Sequence, residues 1–163
     1  MKRFFRLAAM LGAVLLFASG AFAQGGAKQG PAVTRDADLE KDGLHNLEVA
    51  RHYFKLRKAY VAALERCEEI IAGNPNFSKI DEVLFMAGES SLSLAAGKGK
   101  QRSSLYIIHE GDNKRTLKPE EFRDLARDYL SQLVNSYPDS TFRPDAMSDL
   151  QGLGGAKPKD TKP

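Results

Sequence analysis

The chain has 163 residues, with 24 Lys and Arg, 21 Asp and Glu, one Cys and no Trp. One domain suits this length, and a multidomain enzyme is excluded on size. The lone Cys67 excludes a disulfide framework, and 42% hydrophobic residues with 14 Gly and 7 Pro exclude collagen-like and mucin-like chains.

The formal net charge is +3 and the pI about 9.0, values that point first to an anionic partner. Lys2, Arg3 and Arg6 carry all of that excess, and the chain beyond residue 23 has as many acids as bases. Residues 1–23 have the layout of a secretory signal. A basic start is followed by an apolar run from Leu7 to Phe17, then by Ala18-Ser19-Gly20-Ala21-Phe22-Ala23. Cleavage is expected after Ala23. The alternative, an uncleaved membrane anchor, is disfavoured because the apolar run is short for a span of about 20 residues. Gln24 stands where a lipid-bearing Cys would be, so no lipid anchor is expected. The expected destination is an oxidising, periplasm-like space, where burial is the simplest protection for a single thiol.

Residues 24–35 are Gly-rich and aperiodic and read as a flexible linker; residues 152–163, rich in Gly, Pro and Lys, read as a disordered tail. The segment between, 36–151, is patterned as an all-α domain. Leu44, Leu47, Ala50, Tyr53, Phe54 and Leu56 recur at helical spacing, with a short turn at Lys58-Ala59. A second helix carries Tyr60, Ala63, Leu64, Cys67, Ile70 and Ile71 on one side. It stops at Gly73-Asn74-Pro75, where Gly or Asn suits a left-handed cap and Pro cannot continue the ladder. A third runs from about Ile80 to Ala96 with small residues Ala87, Gly88 and Ser91 on its inner face, which permits close helix approach.

Gly97 to Lys118 is an insertion. Within it Leu105-Tyr106-Ile107-Ile108 is β-prone, and Glu110-Gly111-Asp112-Asn113 is a turn signal, so a short hairpin is expected. Pro119 opens a fourth helix at its first turn, where a missing N–H is harmless. That helix ends at Tyr137-Pro138, and a short fifth helix spans about Pro144 to Gln151.

Two of these segments share a frame. Ala63, Cys67, Ile70 and Pro75 have the same separations as Ala126, Leu130, Leu133 and Pro138, and the start of the following helix matches as well. This is the logic of a helix-pair repeat of about 34 residues. Val49-Ala50, Tyr53, Tyr60, Ala63, Cys67, Ile70 and Pro75 resemble one tetratricopeptide unit with one extra residue near Leu56-Arg57-Lys58-Ala59. Ala87-Gly88, Ser91, Ala126, Leu130, Leu133 and Pro138 resemble a second, split by the insertion. Tyr137-Pro138-Asp139-Ser140 with Asp145-Ala146 resembles the linker of exported bacterial repeat proteins. Over residues 44–151 the chain is similar to the BamD family of outer-membrane assembly lipoproteins, and to Tol–Pal-associated periplasmic repeat proteins. The resemblance implies an antiparallel helix-pair scaffold of about two and a half units that binds envelope proteins or their unfolded segments. It also implies association with the outer membrane through a partner. The chain departs from that family in lacking the lipid-bearing Cys, in unit number and in its insertion.

No catalytic set emerges. His45, Glu48 and His52 share a helix face but lack the third and fourth ligands that a zinc site wants. His109-Glu110 lacks the second His of a metalloprotease motif, and Gly97-Lys98-Gly99-Lys100 lacks the phosphate-loop spacing. Ser90, Ser91 and Ser93 have no nucleophile-elbow context. No enzyme activity, cofactor, metal or nucleic-acid partner is expected. Two surfaces remain as candidates. The first is a peptide-binding groove on the first helices of the two units, from Arg51, Phe54 and Lys55 with Phe85, Glu89 and Leu92; the competing assignment places Phe54, Phe85 and Leu92 in inter-repeat core. The second is the basic insertion, in which Lys98, Lys100, Arg102, Lys114 and Arg115 stand out against a helical body that is acidic on both sides. That insertion is either a solvated loop or a hairpin, whose apolar strand would pack on the helices or on a partner and which could fold back on the acidic body. A structural module whose groove is filled by a second copy is the other function class, and a small enzyme or metal carrier is the least supported.

Overall fold

The computed structural model describes residues 36–159. The expected signal 1–23, the linker 24–35 and the last residues of the tail lie outside the described residues. The described chain is mostly helical, with one two-stranded antiparallel sheet.

Helix α1 spans Ala37–Arg51. It starts earlier than its apolar pattern because Asp36 caps it, accepting bonds from the N–H groups of Asp38 (2.9 Å) and Leu39 (3.2 Å). The first turn is exposed and therefore carries no periodic apolar signal. Beyond Arg51 the helix widens into a π-helical stretch, His52–Arg57, closed by Lys58 in the left-handed conformation (φ 53°, ψ 36°). This wider winding accommodates the extra residue that the sequence places near Leu56–Ala59.

Helix α2 is Tyr60–Gly73. It ends where Pro75 requires, but Asn74 at its end is extended (φ −143°) rather than left-handed, as the residue before a Pro prefers. Helix α3, Ile80–Ala95, is the most buried element. Strands β1 (Ile107–Glu110) and β2 (Asn113–Thr116) form the expected hairpin, pairing Ile107 with Thr116 and Glu110 with Asn113. Helix α4 is Pro119–Ser136, with Pro119 in the first turn and the Glu121 carboxylate accepting from Lys118 N–H at 2.8 Å. Helix α5 is Arg143–Gly152.

Consecutive helices pack on one another, most extensively α3 on α4 and α2 on α3. One core runs through the pairs, from Leu47 and Ala50 through Leu64, Cys67, Val83 and Ala87 to Phe122, Leu130, Leu133 and Leu150. Cys67 is fully buried, and burial pushes its thiol pKa well up, which leaves it unreactive. Helices α3 and α4 approach closely at Gly88. A Cβ there would lie 2.6 Å from both Cγ and Cδ2 of Leu130, itself fully buried.

The tail is ordered further than its composition predicts. Arg127 donates to the carbonyl of Gly155 (2.7 Å), Asn135 to that of Lys157 (2.8 Å), and Lys157 N–H to the Ser131 hydroxyl (2.8 Å). The Lys157 ammonium pairs with Asp128. Residues 154–157 therefore form a strap along α4 rather than a disordered segment, held by partners that are distant in the chain.

Replacing Gly88 with Ala would gain helix propensity worth about 1 kcal/mol but crowd a packed interface at about 1–3 kcal/mol. A net loss of up to about 2 kcal/mol is expected, read as a lower urea midpoint for Gly88→Ala with an unchanged slope.

Candidate binding surfaces

The six groove residues divide by what they touch. Arg51, at the end of α1, makes a two-pronged pair with Glu82 of α3, Nε to Oε1 at 2.7 Å and Nη2 to Oε2 at 2.6 Å, and also reaches Glu48 at 2.6 Å. The Glu82 hydrogen bond holds this guanidinium even more firmly protonated than usual. Phe54 is half-buried with its ring edge-on to Tyr60, centroids 5.4 Å apart. Phe85 stacks on Phe142, which precedes α5, at 5.2 Å and 23°. Leu92 is half-buried against the core, and Lys55 is exposed. The sequence-predicted face is thus in large part a set of joints, α1 to α3 through Arg51 and α3 to α5 through Phe85.

Glu89 marks the open part of that face. With Phe85, Asp145, Ser148 and Asp149 it lines a cleft of about 270 Å³ between α3 and α5. Burial, a hydrogen bond with Asp149 and the neighbouring charge of Asp145 push the Glu89 carboxyl up to about 7, against an opposing effect of Lys98. Near neutral pH the Glu89 carboxyl therefore retains its proton in part, beside the acidic residues of α5. Asp149 was not singled out from sequence and Asp145 only within the linker pattern; their four-residue spacing on one face of α5 is the signal that would have found them as a pair.

The basic insertion is docked on the body at several points. Lys100 N–H donates to the Lys58 carbonyl at 2.9 Å, and Gln101 Oε1 accepts from Ala62 N–H at 3.1 Å, filling one of the orphan donors at the start of α2. Gly99 (φ +95°) must be Gly, since a Cβ would meet the Lys58 carbonyl oxygen at 2.6 Å and the Tyr60 ring at 2.5 Å. The strongest anchor is Glu68 of α2. It accepts hydrogen bonds from the hydroxyls of Tyr106 (2.6 Å), just before β1, and Tyr129 (2.8 Å), on α4. Burial and the Glu68 charge push both phenol pKa values well up, so both hydroxyls stay protonated as donors.

Arg115 of β2 pairs with Glu110 (2.8 Å) and with Glu121 of α4 (2.7 Å), which ties the hairpin to the acidic body. Lys98, Lys100, Arg102 and Lys114 are exposed and make no ion pair within the described residues. Among the described residues no three His, Cys, Asp or Glu side chains gather as a metal site, and His52 instead accepts from Arg57 Nε at 3.2 Å. No described helix is long and apolar enough to cross a membrane. No protein-family model, curated protein or solved structure matches the chain.

Two outcomes follow from this geometry. Because the folded-state pKa of Glu89 is raised, its contribution to stability is fully present below the ordinary carboxylate range and is lost as pH rises through about 7. The melting temperature of Glu89→Gln relative to wild type should therefore rise between pH 5 and pH 8, with the variant at least as stable at pH 8. Glu68→Ala removes the acceptor from two half-buried to buried hydroxyls and should cost about 2 kcal/mol or more. Hydrogen exchange at 107–116 should quicken with it, and Glu68→Gln, which keeps one acceptor oxygen, should recover part of the loss.

Proposed function

We propose that this chain is a tetratricopeptide-like helix-pair scaffold. It works outside the cytoplasm, holding segments of envelope proteins against the face formed by α1, α3 and α5. The observation that carries this reading is the joining of alternate helices, α1 to α3 by Arg51–Glu82 and α3 to α5 by Phe85–Phe142. Each of these helices also packs on its neighbour in the chain. In stacked helix pairs the first helix of every unit lies beside the first helix of the next, and that row lines the binding face.

The shared spacing of Ala63, Cys67, Ile70 and Pro75 with Ala126, Leu130, Leu133 and Pro138 supports the same assignment, and all six apolar members of the two sets are buried. The extracytoplasmic setting rests on the signal-like residues 1–23. The role in outer-membrane assembly or envelope maintenance rests on resemblance to the BamD family. Because Arg51 and Phe54 hold helices together, their substitution would perturb the scaffold itself. A binding test belongs at exposed positions instead.

A photocrosslinking residue placed at Lys55 or Ser148, both exposed on this row, should capture envelope proteins in the producing cell. Capture at Glu69, exposed on α2, should be weaker by roughly tenfold. Equal or stronger capture at Glu69 would refute the face assignment. Crosslinks only to a second copy would replace the scaffold reading with an oligomerisation module.

A further inference from the structure

We propose that the free edge of β1 is a docking strand for an extended, acidic segment of a partner protein, which adds a third strand to the hairpin. The inference goes beyond the helical face and does not depend on it.

The backbone carries the first part of the argument. Gly111 and Asp112 form a two-residue turn with Gly111 at φ +61°, so Glu110 and Asn113 are the hydrogen-bonded pair next to it. Alternation then makes His109–Lys114 and Ile107–Thr116 the non-bonded pairs, and the N–H and C=O groups of Ile107 and His109 point outward from β1. Within the described residues nothing pairs with them. The outer edge of β2 is less open, because Arg115 Nη1 reaches the Thr116 carbonyl at 3.4 Å.

The side chains carry the second part. Leu105 is 57% exposed and Ile107 50%, among the few large apolar side chains of the described residues left in solvent, and they lie at the start of this edge. Ile108 instead packs against the core from the opposite face. An added strand would cover Ile107 and satisfy the outward groups at once, as in strand-addition recognition of peptides.

Charge selects the occupant. Lys114 of β2 stands directly across from His109, Arg102 and Lys100 precede the strand in the chain, and all three are exposed with no ion pair within the described residues. A second copy would bring its own cations to the same place and be repelled, whereas an acidic strand is attracted. The strand is short and faces Lys114 across the hairpin, features that guard against indiscriminate edge pairing, so affinity would require the complementary charge.

The test uses fluorescence anisotropy with a short labelled peptide of alternating Val and Glu and the purified protein. Binding is expected, weakening as salt is raised. His109→Pro removes an outward N–H without touching the ladder and should weaken binding roughly tenfold while leaving the melting temperature nearly unchanged. Lys114→Glu should do the same. The inference is overturned if the Val–Glu peptide fails to bind, or if His109→Pro binds it as well as wild type. It is equally overturned if an acidic peptide interrupted by Pro binds equally, since charge alone would then suffice. Displacement by a single-stranded oligonucleotide as readily as by unlabelled peptide, or a dimer in sedimentation that His109→Pro dissolves, would assign the edge to a nucleic acid or to a second copy instead.

Discussion

The close approach of α3 and α4 at Gly88 sets the spacing on which the other contacts depend. Helix α3 packs against both α2 and α4, and it can do so because Ala87, Gly88, Ser90 and Ser91 present small side chains to its neighbours. Any Cβ at Gly88 would collide with Leu130, so the two helices sit closer than larger side chains allow. That spacing places the opposite side of α3 outward, with Glu82 within reach of Arg51, Phe85 under Phe142 and Glu89 beside Asp149. Small residues on one side of a helix thus fix the joints on the other. Ser91 fits this crowded position by turning its hydroxyl back to the Ala87 carbonyl at 2.9 Å, whereas the buried Ser90 hydroxyl has no hydrogen-bond partner among the described residues.

Interruption of the second helix pair by 97–118 would ordinarily weaken it, since a long connection adds closure entropy. Here much of that cost is offset by contacts that the insertion makes at both ends. Its start lies over the Lys58 turn and caps α2 through Gln101, and its middle is fastened by Tyr106 to the same Glu68 that binds Tyr129 of α4. Glu68 therefore joins the first pair, the insertion and the second pair at one carboxylate. The left-handed Lys58, costly for a residue with a Cβ, is exploited in this arrangement, because the turn it makes presents the carbonyl that Lys100 uses.

Local signals in the sequence located the elements, and non-local ones were invisible there. Pro75, Pro119 and Pro138 mark helix ends because each acts on its own backbone, and the Glu110–Asn113 turn does so for the hairpin. Of the expected groove residues Arg51 lies on α1, Phe54 and Lys55 on the π-helical stretch that continues it, and Phe85, Glu89 and Leu92 on α3, yet what they touch depends on partners far along the chain. Arg51 finds Glu82 31 residues away, and Tyr129 finds Glu68 61 residues away. Nothing local distinguishes Glu68 from Glu69, which is exposed one position on and pairs with Arg66 instead. The strap shows the same limit: Gly154-Gly155 is ordinarily a flexible composition, and only Arg127, Ser131 and Asn135 on another helix turn it into structure.

The strap also bears on how many helix pairs can stack. A further pair would need an apolar ridge on which to pack, since stacking of this kind is driven by burial of continuous faces. Along α4, Arg127, Asp128, Ser131 and Asn135 instead offer polar groups, and these are engaged with backbone and ammonium groups of residues 154–157. A helix arriving at that ridge would have to break these bonds and would recover little apolar area in return. Polar closure on this side confines the proposed binding to other surfaces of the described residues. Among these the acidic cleft between α3 and α5 and the hairpin edge beside the exposed cations differ in charge and, on the proposed reading, would select different segments of a partner.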